Sequence, residues 1–96
     1  MSRPFSRRFT PDDAETLALQ VLTFLLSEQQ RLSRFLALSG MDLQTIRVSA
    51  ASVDLQTATL EYLLSDESLL LTFCQERGID PATVAPMHDL LVRQAR

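Results

Sequence analysis

Between Ala14 and Ser27 the polar residues Thr16, Gln20, Thr23 and Ser27 recur at spacings of 4, 3 and 4. At 100° per residue this confines them to about 60° of helical arc. Most of the remainder is apolar: Leu17, Ala18, Leu19, Val21, Leu22, Phe24, Leu25 and Leu26. A helix so apolar cannot rest on one flat surface. It must be nearly surrounded, by its own chain or by a partner. Thr10-Pro11-Asp12-Asp13 opens it: Thr10 is a capping residue, Pro11 suits the first helical position, and the two acids suit the positive end of the helix dipole.

The following segments read as shorter helices. Ser27 is the expected cap of a helix over 28–39, with Gln30 as capping-box partner. Leu32, Phe35 and Leu36 form its seam, and Gly40 is its left-handed stop. Asp42 caps a short helix over 43–50 with Leu43 and Ile46 inward, although Ile46-Arg47-Val48-Ser49 also alternates like a strand. Ser52 caps a helix to Leu64, with Leu55, Tyr62 and Leu63 inward, and Ser65 caps another over 66–77 ended by Gly78. Asp80-Pro81 starts a last segment. Pro86 removes a backbone donor and clashes with the preceding turn, so a turn over 81–85 and a helix over 86–94 are expected.

An offset of 38 residues lays the chain over itself without a gap. FLLSEQQRLSRFLALSGMDLQTI (24–46) matches YLLSDESLLLTFCQERGIDPATV (62–84) at eight of 23 positions. Leucine matches carry little weight, since Leu is 18 of 96 residues. Glycine matches carry more, because the chain has two glycines and the offset superposes them. The expected architecture is all-α: a compact bundle of five to six short helices built from two similar helical hairpins packed face to face. Two units are too few for an open solenoid. The units differ at Arg31 and Ser33, which become Leu69 and Leu71. Leu71 and Leu38 fall off the seams of their helices.

Charge divides the chain further. All nine cations are Arg; three of them (Arg3, Arg7, Arg8) lie in the first nine residues, which hold no acid. The result is a +3 segment over 1–9 and a body of net −6 over 10–96, read as a single helical domain. An acidic body argues against general nucleic-acid binding, which needs a basic face to displace counterions. One Cys excludes a disulfide framework, and one Cys with one His excludes a conventional zinc site. No stretch approaches the roughly 18 apolar residues of a membrane span. With a free thiol and no export signal, a bacterial cytoplasm is the expected compartment.

Candidates for catalysis are sparse. Cys74 takes the place of Leu36 in the second unit and reads as a buried thiol. His88, beside Asp89, reads as a half-exposed helix residue, and a Cys74–His88 dyad is conceivable but disfavoured. The acids Asp12, Asp13, Glu15, Asp66 and Glu67 fall in first turns, where the dipole accounts for them. No catalytic residue, metal, cofactor or small-molecule ligand is expected. Arg3, Arg7 and Arg8, interleaved with Phe5 and Phe9, are candidate anion contacts, able to grip phosphate, meet an anionic surface or dock on an acidic protein face. Otherwise Phe9 staples onto the first helix.

RFLALSGMD (34–42), preceded by AETLALQVLTFLL (14–26) and followed by LLSDESLLLTFCQERGIDP (63–81), resembles the small alphaproteobacterial family of unknown function numbered 3572. The likeness covers about residues 12–90. It implies a short helical cytoplasmic protein and transfers no catalytic or binding residue. Ser52-Val53 departs from the Asp-Pro-like helix start expected there.

The functional expectation is a non-enzymatic interaction or regulatory adaptor module, with an unidentified protein or a second copy as partner. Its candidate surface is the surplus apolar set Leu19, Leu26, Leu38 and Leu71. The alternative is weak nucleic-acid or anionic-surface binding through the Arg/Phe segment.

Overall fold

A computed structural model describes residues 9–95. These form six α-helices: α1 Pro11–Leu26, α2 Gln29–Ser39, α3 Leu43–Ser49, α4 Val53–Leu64, α5 Glu67–Arg77 and α6 Val84–Gln94, with a 3-10 turn at Pro81–Thr83 before the last. The described residues contain no strand, so the alternating segment at 46–49 is helical.

The termini follow the chemistry of their residues. Thr10 accepts a hydrogen bond from the Asp13 backbone N–H at 3.2 Å while the Asp13 carboxylate accepts from the Thr10 N–H at 2.9 Å, a reciprocal box that satisfies two otherwise unpartnered donors. Asp42 accepts from Thr45 N–H at 2.8 Å, Ser52 from Leu55 N–H at 3.0 Å, and Asp80 from Ala82 N–H at 3.0 Å. Gly40 and Gly78 both end their helices with positive φ, 75° and 66°.

Three local expectations are corrected. Ser27 and Ser65 do not cap the helices that follow them. Each hydroxyl instead donates backwards, to Phe24 O at 2.8 Å and Tyr62 O at 2.7 Å, and each residue ends the preceding helix. Glu28 stands at the N-cap of α2 with no side-chain bond, so the box with Gln30 does not form, while Asp66 caps α5 through Leu69 N–H at 3.1 Å. Helix α6 begins two residues before Pro86. In a first turn the N–H that proline lacks has no intrahelical acceptor, so nothing is lost there. Leu43, expected inward, is 43% exposed, and Ile46 alone anchors α3.

The core is gathered around α1. Ala14, Leu17, Ala18, Val21, Leu22, Phe24 and Leu25 are buried along it, as its apolar circumference requires. Its main neighbours are α4 and α6, which contribute Leu55, Leu60, Leu63, Val84 and Leu91. The first turns of α1 and α4 meet where Gln56 Nε2 lies 3.5 Å from a Glu15 carboxylate oxygen and 3.4 Å from Ala50 O. These contacts account for a glutamine only 3% exposed. Helices α2 and α5 are mostly exposed and anchor through Phe35 and through Phe73 and Cys74.

Candidate interaction surface

Two aromatic pairs fix how the outer helices sit. Phe24 of α1 meets Phe73 of α5 edge-on at 5.2 Å between centroids, and Tyr62 of α4 meets Phe35 of α2 at 4.8 Å. The second pair brings the end of α2 alongside the end of α4 and the start of α5. An apolar hollow of about 320 Å³ opens there, lined by Leu38, Ser39, Met41, Ala58, Glu61, Tyr62 and Ser65. It adjoins a more polar hollow of about 380 Å³ that shares Leu38, Tyr62 and Ser65 and adds Arg34, Asp66, Glu67 and Ser68. Together they form a shallow groove with an apolar floor and an acidic rim.

The four leucines singled out from sequence are all exposed: Leu19 and Leu26 at 39%, Leu38 at 65% and Leu71 at 48%. They lie on three helices. Leu19 and Leu26 share one side of α1, seven residues apart, and Leu38 borders the groove. Leu43 and Val48 of α3 are also exposed, the latter at 74%. Tyr62, expected inward, is half-buried and lines the groove; Met41 and Glu61 belong to it without a signal in the sequence, because these residues converge only when α2 packs on α4. Arg3, Arg7 and Arg8 lie outside the described residues; Phe9 is half-buried.

The groups considered for chemistry are separate. Cys74 is buried, and that burial, assisted by the Asp80 carboxylate, pushes its thiol above the ordinary value. His88 is partly buried, with Nε2 3.7 Å from a Glu61 carboxylate oxygen and Nδ1 3.8 Å from Asp89. Both distances exceed hydrogen-bond reach, and Nε2 and the Thr57 hydroxyl have no hydrogen-bond partner. No hydrogen bond joins Cys74 to His88 among the described residues. Nor do three or more His, Cys, Asp or Glu side chains gather there as a metal-ligand set. No helix among the described residues is long and apolar enough to cross a membrane.

A contrasting arrangement occupies the other aromatic pair. The Arg31 guanidinium lies over the Phe24 ring with its carbon 4.0 Å from the centroid. It also reaches Glu28 and Glu76, each at 3.6 Å. Such stacking of a cation on a ring face, with carboxylates beside it, binds a guanidinium through both its plane and its donors.

No curated protein and no solved structure matches the chain. A family model described as "Protein of unknown function" (DUF3572) matches residues 11–94, and the chain belongs to that family.

Proposed function

We propose that the chain is a non-enzymatic helical interaction module of the bacterial cytoplasm, an adaptor or regulator that receives a protein segment in the groove between α2, α4 and the start of α5. The observation that carries this reading is Leu38. It is 65% exposed and stands on the wall of an apolar hollow floored by Met41, Ala58 and Tyr62. An exposed leucine alone is ordinary; one that borders a concave apolar surface with a polar rim has the anatomy of a docking site. The same reading treats the two hairpins as one repeated unit whose second copy has changed its surface. The free thiol of Cys74 supports the cytoplasmic part of this reading.

A photoreactive amino acid placed at position 38 tests this in living cells. Irradiation should give one discrete protein adduct, and the same probe at exposed Thr16 on α1 should not. Adducts that are absent at 38, or identical at both positions, would rule the groove out.

A further inference from the structure

The 38-residue offset carries Phe24 onto Tyr62, Phe35 onto Phe73 and Glu28 onto Asp66. The ring contacts obey the same exchange, since Phe24 meets Phe73 and Tyr62 meets Phe35. Around Phe24 the site is filled by Arg31, held between Glu28 and Glu76. Around Tyr62 the offset replaces Arg31 with Leu69 and Glu76 with Leu38, while the ring and the acid remain as Tyr62 and Asp66. This is where the 380 Å³ hollow opens, with Glu67 and Arg34 on its edge. Among the described residues no guanidinium lies over Tyr62, and Arg34 forms neither an ion pair nor a ring contact.

We propose that this hollow takes an arginine from residues 1–8 of a second copy of the chain, with Phe5 of that segment on the adjoining apolar floor. The proposal rests on the groove being a docking site. Charge favours it: the segment carries +3, and the groove sets Glu61, Asp66 and Glu67 against the single cation Arg34. A ring beside a carboxylate is the setting in which the same molecule already holds Arg31, and the tyrosine face attracts a cation in the same way. A second copy suits the geometry better than the same chain. Gln56 turns toward Glu15 at the start of α1, next to the root of the segment. Ala58 follows two residues later, about 160° round α4 by helical geometry, so the groove opens on the far side of that helix. Association is held by exposed charges and one stacked ring, so it is weak and falls with salt.

Sedimentation equilibrium of the full chain tests the proposal. Association should weaken markedly between about 50 mM and about 500 mM salt, as charge screening shortens to a few ångströms. Replacing Arg3, Arg7 and Arg8 together by Gln should raise the dissociation constant about tenfold or more, equivalent to one good charged contact. Leu69→Arg should do the same by supplying the guanidinium from within, as Arg31 does at Phe24. Lack of self-association at low salt, or association unchanged by the triple substitution, overturns the proposal.

A mixed-chain experiment fixes the source of the segment. A nitroxide on Ser6→Cys of an unlabelled chain, with buried Cys74 unreacted, should broaden the amide signals of Leu38, Tyr62 and Ser65 in an isotope-labelled partner chain. Broadening seen only when label and isotope share one chain contradicts a second copy. A discrete adduct from position 38, combined with no effect of the arginine substitutions, would leave the groove as a docking site and eliminate this segment as its occupant.

Discussion

Phe24 of α1 stands edge-on to Phe73 of α5, 5.2 Å between centroids and 68° between planes, with both rings essentially buried. This contact ties the central helix to an outer one that has little else in the core. A double-mutant cycle with Phe24→Leu and Phe73→Leu should give a coupling of about 0.5–1.5 kcal/mol, the range for an aromatic pair in this orientation. Either Phe→Ala change should cost about 3–5 kcal/mol by leaving a cavity. Chemical denaturation of the four proteins of the cycle and of the two alanine variants measures both, and a coupling near zero would show that α5 is held by other means.

Gly40 and Gly78 predict a second result. A Cβ built at either position meets no atom within 4 Å, so crowding plays no part. The positive φ alone strains an L-residue. Gly40→Ala and Gly78→Ala should each destabilise by about 1 kcal/mol, and Gly→Asn by less, because Asn tolerates the left-handed region. Equal effects of Ala and Asn in thermal melts would argue against this origin.

Cys74 should resist a thiol reagent until the chain unfolds, because burial first, and the Asp80 carboxylate second, disfavour its thiolate. The folded value lies above the unfolded one. Its contribution to stability is therefore complete below about pH 8.5 and is lost as pH rises through the folded value. Cys74→Ala should abolish that alkaline decline. Fast labelling of the native protein would contradict the placement of the thiol.

Asp42 titrates in the opposite sense. The Thr45 backbone N–H, then the Thr45 hydroxyl, hold its carboxyl below the ordinary value, with a smaller contribution from the Gln44 N–H; desolvation opposes them only partly. Its stabilisation is present above about pH 3.9 and disappears as pH falls through the lowered folded value. Asp42→Asn keeps an acceptor oxygen at the cap but removes the titration. Its acid denaturation curve should be flatter than that of the parent in that window.

Helix ends were the most legible part of this chain. Thr10, Asp42, Ser52 and Asp80 cap where their side chains can reach a free N–H two or three residues on, and both glycines stop helices. Ser27 and Ser65 misled because a serine between two helices can bond forward or back, and an acid directly behind each can take the N-cap position. Pro86 misled because the rule against proline applies to helix interiors, and the turn at Pro81–Thr83 lets α6 start early enough to hold it in its first turn. Leu38 was visible as an off-seam leucine. The groove around it was not, since Met41 follows α2, Ala58 and Tyr62 lie on α4 and Asp66 precedes α5, and these segments meet only through packing.

The most direct measurement is a titration of the peptide Ser-Arg-Pro-Phe-Ser-Arg-Arg-Phe, residues 2–9 of the chain, into the isotope-labelled full-length protein at low salt. Amide shifts should concentrate at Arg34, Leu38, Met41, Ala58, Tyr62 and Asp66 and vanish when the three arginines of the peptide are replaced by glutamine. Shifts that scatter over the surface, centre on α3 or α6, or persist without the arginines would contradict the assignment of the Leu38–Tyr62 groove as an arginine-reading docking site.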